Sequence, residues 1–237
     1  MKKLLLALAT LLSLHTAALA QVTTLVGYNF DNLVNNSSAN VPSTLSPCVT
    51  ATNLTLNGLN QSFHTTGGVG NSKFRCFSGW DTTYDYSLIR GNLAQYADTL
   101  AFNMTVNPGD MVSISNLSLA WKRPFTNSVT GLKASIFWAD DNGIIQHRTS
   151  NNLTLAGTGV WNSAVFDFTT GSAAFPTGSA SSNETFHVEL YAWGSAGNIL
   201  FLDNIALNGT CSPVPEPSGA LLLGSASFIL LRRRTRK

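Results

Sequence analysis

Four side chains of types that bind sugars or move protons recur at alternate positions late in the chain: His187, Glu189, Tyr191 and Trp193. In an extended strand successive side chains point to opposite faces, so these four share one face and Phe186, Val188, Leu190 and Ala192 take the other. Glu189 and His187 mark the first face as the wetter one, where Tyr191 and Trp193 would form a flat aromatic platform. Sugars stack their C–H faces on such platforms and add a few hydrogen bonds from polar neighbours. The competing reading is that the aromatics pack under a loop or against a neighbouring strand, because strands favour aromatic residues in any case.

Catalysis has less support. Beyond the first twenty residues the histidines are His64, His147 and His187, and neither an H-E-x-x-H nor a G-x-S-x-G motif occurs. Gly67, Gly68, Val69 and Gly70 resemble a phosphate-cradling loop only in glycine content; without a following lysine they read as a flexible turn. Glycoside hydrolysis needs two carboxylates across one sugar. Glu184 and Glu189 are five residues apart in one strand and point to opposite faces, so they are no such pair. A non-catalytic exported cell-surface or extracellular-matrix protein with a structural, adhesive or glycan-binding body is therefore expected, with a secreted glycan-active enzyme using a nonlocal acid pair as the alternative.

The elements that would position these residues are strands. Leu100, Phe102, Met104 and Val106 alternate with polar or small neighbours over 99–106, and Asn107, Pro108, Gly109 and Asp110 then fit a type II turn. Val112 and Ile114 lie on one parity but Leu117, Leu119 and Trp121 on the other, which predicts a β-bulge at Ser115–Asn116. Leu132, Ala134, Ile136 and Trp138 lead into a turn at Ala139–Gly143, and Ile144 begins the return strand. Further strands are expected at 22–30, 52–58, 83–90, 160–168, 185–193 and 199–207. No part of the body sustains a 3.6-residue apolar stripe. About ten strands with Asn, Ser, Thr and Gly turns predict an all-β, two-sheet β-sandwich of jelly-roll kind, with an up-and-down barrel fitting the strand count equally well.

The ends of the chain differ from this body. Lys2 and Lys3, the apolar run Leu4–Leu14 and the Ala18-Leu19-Ala20 site before Gln21 read as an export signal over 1–20. At the other end, Pro215, Glu216 and Pro217 precede an apolar segment over 218–231 and a basic tail, Arg232, Arg233, Arg234, Arg236 and Lys237. Fourteen helical residues reach about 21 Å at ~1.5 Å per residue, a short transmembrane helix whose arginines stay on the cytoplasmic side. Seven of the 14 basic residues lie in these two tracts; from Gln21 to Leu231 seven basic residues face twelve acidic ones, a net of minus five. Nucleic acid is thereby excluded as a partner, since phosphate recognition needs concentrated positive charge on the folded part.

The order Pro-Glu-Pro, weak apolar helix and terminal arginine cluster resembles the PEP-CTERM sorting signal of Gram-negative bacteria. The resemblance covers 214–237 and implies export by the Sec machinery and a transient stay in the inner membrane with the domain outside. An exosortase-type enzyme would then cut near Pro215–Pro217 and deliver the protein to the cell surface or exterior, often with exopolysaccharide. Two prolines keep the motif extended and remove two backbone donors, which suits a cleft. The body over 21–213 also resembles carbohydrate-binding-module-like jelly rolls, through an early Tyr28-Asn29-Phe30-Asp31 and a late Phe201-Leu202-Asp203-Asn204-Ile205 that would be neighbouring first and last strands. By parity Asp203 shares a face with Ile199, Phe201, Ile205 and Leu207 and must find a partner there. The resemblance implies a structural Ca²⁺ held by Asp203 and Asp31; the alternative is that Asp203 accepts backbone hydrogen bonds in a strand-end turn.

Three cysteines, Cys48, Cys76 and Cys211, permit one disulfide within the chain. Pairing Cys48 with Cys76 would close a Gly- and Asn-rich stretch of weak periodicity and is the preferred expectation. Cys211 could instead meet Cys48 if the ends of the domain lie together. No C-x-x-C occurs, so neither a redox centre nor a zinc site is indicated.

Overall fold

The computed structural model describes residues 21–35, 38–80, 98–125, 128–139, 143–169, 184–194 and 199–213. The expected export signal, the strand at 83–90 and the whole of 214–237 lie outside the described residues. Among the described residues no helix is long and apolar enough to cross a membrane.

In chain order the strands are β1 (Thr23–Tyr28), β2 (Thr44–Leu45), β3 (Val49–Ala51), β4 (Thr55–Asn57), β5 (Asn60–His64), β6 (Phe74–Ser78) and β7 (Thr99–Val106). They continue as β8 (Asp110–Lys122), β9 (Val129–Ala139), β10 (Ile145–Thr149), β11 (Leu153–Thr154), β12 (Asn162–Asp167), β13 (Thr185–Gly194) and β14 (Ile199–Pro213). They form a two-sheet, jelly-roll-like sandwich. The first sheet runs β12-β8-β14-β1-β2, with β6 joining β14 to β5; the second runs β10-β9-β13-β7-β3, with β11 added to β9 and β4 to β7. Every pairing is antiparallel. As the early and late motifs suggested, β1 and β14 are neighbours, with Tyr28 opposite Ile205.

The core lies between the inner faces of the two sheets. Leu100, Met104, Leu132, Ile136, Phe186 and Val188 come from the second sheet, and Leu25, Ile114, Leu117, Phe77, Leu202 and Leu207 from the first, each at most 1% exposed. Burying a side chain of this size stabilises the fold by roughly 1.5–3 kcal/mol, which is why the alternating runs were such clear signals. The bulge expected on β8 is present: Asn116 faces Asn208 and Ile114 faces Gly209, leaving Ser115 as the extra residue. The turn after β7 has Gly109 at φ 83°, and Asp110 N–H donates to Asn107 O over 3.2 Å.

A second bulge was not foreseen. Asp203 pairs with Ala120 and Ala206 with Ser118, so β14 carries one residue more than β8 between these points, and Asn204 there has φ 50°. Asparagine tolerates this left-handed conformation better than most side chains do. The bulge reverses the parity of β14. Leu200 and Leu202 face the core before it, Ile205 and Leu207 after it. Asp203 therefore shares its outward face with Phe201 but not with Ile205 and Leu207, correcting the parity assignment.

One buried charge braces the start of the domain. Arg75, on the inner side of β6 and 0% exposed, donates from Nε to Asn40 Oδ1 (3.0 Å) and from Nη2 to Ser38 O (2.8 Å), and its guanidinium lies over Phe63. Burial lowers its pKa. These bonds hold the connection between β1 and β2 against β6.

The disulfide joins Cys48 to Cys211, Cα to Cα 6.3 Å, and Cys76 is the free thiol. The expected Cys48–Cys76 pairing is overturned because the alternation along β6 puts Arg75 and Phe77 inside and turns Cys76 outward, opposite Phe201 and Ser62. Cys48 is buried at the entry to β3, and Cys211 comes in on the long end of β14. The crosslink thus staples one sheet to the other. Replacing Cys211 by Ser should lower the unfolding free energy in urea by about 2–5 kcal/mol, as expected for removing a crosslink across a long loop. Cys76→Ser should cost under about 1 kcal/mol. Equal losses in the two variants would contradict the assigned pairing.

Candidate functional site

The residues singled out on β13 sit on the outer face of the second sheet, where strand register orders them into rows. One row reads His147, Phe137, His187, Asn103; the next Thr149, Ser135, Glu189, Ala101; then Lys133, Tyr191, Thr99; and last Gly131 with Trp193. All four platform residues thus share one face, as their spacing required.

His187 is held from both sides. Its Nε2 lies 2.9 Å from Glu189 Oε1 and its Nδ1 2.7 Å from Asn103 Oδ1, so both ring nitrogens are within hydrogen-bond distance of a side-chain oxygen. Tyr191 and Trp193 stack at 5.8 Å with an interplanar angle of 23°. The indole fits because Gly131 has no side chain: a Cβ there would collide with the Trp193 ring.

The face is drier than its alternating pattern suggested. Glu189 is 2% exposed and Tyr191 5%, whereas Trp193 and His187 remain half-buried. Tyr191 forms a small cluster with Phe137, and Trp193 packs on it. Glu189 stands between Ala101 and Ser135, which are too small to reach the far end of its carboxyl. Its Oε2 is buried and accepts no hydrogen bond among the described residues. An acceptor left unpaired in this way costs about 1–3 kcal/mol, and natural structures keep few of them.

The other acids that sequence reasoning brought together are also near one another. Asp203, 0% exposed, lies beneath the segment 68–72 on the outer side of the first sheet. Its Oδ2 accepts from Val69 N–H (3.1 Å) and Ser72 Oγ (3.0 Å), and its Oδ1 from Asn204 N–H (2.8 Å). Asp31 Oδ1 accepts from Lys73 N–H at 3.2 Å. Burial pushes the Asp203 carboxyl up, the three hydrogen bonds oppose this, and the charge of Asp31 adds to the rise. The stretch read as a flexible turn is therefore a tied one. It contains a 3-10 turn, Val69–Asn71, and Gly68 approaches so closely that a Cβ there would lie 2.9 Å from Asp203 Oδ2.

Ca²⁺ takes six to eight oxygen ligands. Here N–H and O–H donors point at the carboxylate oxygens where a cation would have to bind, and no group of three or more His, Cys, Asp or Glu gathers among the described residues. The arrangement does not fit the calcium role carried over to Asp31 and Asp203. It fits the hydrogen-bonded alternative.

No protein-family model and no curated protein sequence matches this chain. Solved structures similar to it include the C-terminal family 22 carbohydrate-binding module of Clostridium thermocellum Xyn10B, at 12% identity over 81% of this chain and 96% of that one, TM-score 0.43. Another is the CBM22-1 xylan-binding domain from Paenibacillus barcinonensis Xyn10C, 12% identical over 81% and 98% of the two chains, TM-score 0.46. A third is the family 11 carbohydrate-binding module of the Clostridium thermocellum cellulosomal cellulase Lic26A-Cel5E, 14% identical over 81% and 97%, TM-score 0.38.

Sequence reasoning found the strand that carries the site but not its neighbours Asn103, Phe137 and Ser135, which arrive through register across three strands. A strand holding Asp203-Asn204 in succession was a usable hint of the bulge that turns Asp203 outward. Removing the carboxylate by Asp203→Ala should lower stability to urea by about 1–3 kcal/mol, because three donors lose their acceptor. The melting temperature of the unaltered protein should agree within about 1 °C between excess calcium and excess chelator, whereas binding a cation at Asp31 and Asp203 would raise it with metal concentration.

Proposed function

We propose that this chain is a non-catalytic, exported glycan-binding protein whose binding surface is the outer face of the second sheet. The observation that carries this reading is the Tyr191–Trp193 stack, whose half-buried indole shares the outer face with the half-buried His187. A saccharide offers a C–H face for the indole and hydroxyls for the polar groups beside it. His187, fixed between Asn103 and Glu189, holds the carboxyl in place. Among the strand residues described on this face Glu189 is the one carboxylate, whereas hydrolysis of a glycosidic bond needs two. Binding is accordingly favoured over the glycan-active enzyme.

The test is retention of the exported protein in gels containing a panel of polysaccharides. The double variant Tyr191→Ala, Trp193→Ala should weaken retention about tenfold or more, in the range expected for losing aromatic anchors. Unchanged retention, with unfolding showing the variant intact, would count against the face.

The delivery of the protein follows from its ends. In this proposal residues 1–20 direct Sec-dependent export, 214–237 hold the domain at the inner membrane on its outer side, and an exosortase-type enzyme cuts near Pro215, Glu216 and Pro217. The product reaches the cell surface or exterior in company with exopolysaccharide. The support is the fixed order of extended motif, short apolar segment and arginine cluster. Mass spectrometry of protein recovered outside the cell should show a first residue of Gln21 and no Lys237. Recovery of an intact basic tail would refute the sorting role.

A further inference from the structure

The first sheet has an outer face of its own, and it is built differently. Where β12, β8 and β14 lie side by side the outward residues are small: Ser163 beside Ala120, and Ser118 beside Ala206. They floor a cavity of about 450 Å³ walled by Val69, Trp161 and Val165 and rimmed by Asn204. That volume is within the roughly 300–1,000 Å³ of small-molecule sites. None of the described lining residues is charged. Ser163 Oγ and the Asn204 side chain have no hydrogen-bond partner among the described residues.

The indole wall is fixed in advance. Trp161 Nε1 donates to Gly67 O over 2.7 Å, and Phe74 meets the ring edge-on at 5.4 Å. Gly67 in turn belongs to the turn whose Val69 N–H and Ser72 hydroxyl are bound by the buried Asp203. Thus a carboxylate at the sheet surface fixes the turn, the turn fixes Trp161 and Val69, and both face the cavity. Binding to a wall already held in place loses less conformational freedom than binding to a mobile one.

We propose that this groove is a second saccharide site, which takes an uncharged sugar unit of a polysaccharide against Trp161, with Ser163 and Asn204 meeting its hydroxyls. Lys122 Nζ stands 6.0 Å from the centre of the Trp161 ring, outside the uncharged lining, so the contacts within the groove are stacking and hydroxyl hydrogen bonds, and a neutral sugar is the occupant proposed. Because the groove and the Glu189 face lie on the outer sides of different sheets, one molecule with both sites occupied bridges two glycan chains. The groove itself is argued without the Glu189 face; only the bridging rests on that reading.

Affinity electrophoresis of the exported protein separates the two sites. Gels would contain a neutral galactomannan, xyloglucan or β-glucan, with polygalacturonate as the charged comparison. In a Trp193→Ala background, which disables the other face, Trp161→Ala should weaken retention by a neutral polysaccharide about tenfold or more. Trp161→Phe, which keeps a ring, should recover part of it, and matching thermal unfolding of the two Trp161 variants would show that folding is intact. If Trp161→Ala leaves retention unchanged in that background, or if no neutral polysaccharide retards the unaltered protein, the proposal is wrong. It is equally wrong if polygalacturonate alone retards it, or if Trp161→Ala alters sedimentation and not retention, which would make the groove a protein-docking surface. Loss on Trp193→Ala with a silent Trp161→Ala would leave the Glu189 face standing and remove the groove; the reverse pattern would keep the groove and remove that face.

Discussion

The arrangement of the molecule depends on the hydrogen-bonding of β14, a strand of 15 residues that has partners on both edges and changes partner on one of them. Its first part, Ile199–Leu202, pairs with β6, its later part with β1, and β8 lies along the other edge from Phe201 to Pro213. Between the two parts the chain takes up one extra residue at Asn204. Without that bulge either Leu200 and Leu202 or Ile205 and Leu207 would leave the core, since a one-residue slip exchanges the faces of everything beyond it. The bulge satisfies both pairs and leaves Asp203 outward. A bare buried carboxylate would be costly, and the 68–72 turn supplies its donors.

The two outer faces answer to different constraints. On the second sheet large residues meet small ones across the strands: Trp193 lies over Gly131, and Glu189 between Ala101 and Ser135. The result is a dense aromatic and imidazole layer with one acceptor unmet. On the first sheet the outward Ala120, Ser118, Ser163 and Ala206 are small together, and the relief comes from Val165 and from Val69 and Trp161, the last two brought in from outside the strands. Shape on one face is made by the strands themselves. On the other it is made by a turn tied to them.

Much of this was legible in the chain. Alternation marked β7, β8, β9 and β13 because each has one face in the core, and a period of two survives wherever burial enforces it. The same pattern exposed the bulge at Ser115, since Val112–Ile114 and Leu117–Trp121 cannot share a parity without one. The short strands β2, β3, β5, β6 and β11 have too few residues to establish a period. The preference for Cys48–Cys76 rested on the weak periodicity of the stretch between them, and Arg75, a charge fully buried on the inner side of β6, gives no sign in the chain that Cys76 points outward. At the site, sequence located one strand's contribution. Asn103, Phe137 and Gly131 come from other strands, and their positions opposite β13 are decided by register, which a single strand does not encode.

The crosslink at Cys211 has a mechanical meaning. A pull on the chain beyond Pro213 enters the fold two residues from that sulfur and passes at once to Cys48, in the opposite sheet. The covalent shortcut leaves everything from Val49 to Thr210 outside the line of tension. A pull applied between Gln21 and Pro213 would run instead through β1 and the opening turns of the sandwich, and the faces organised by the bulged strand would not be peeled apart.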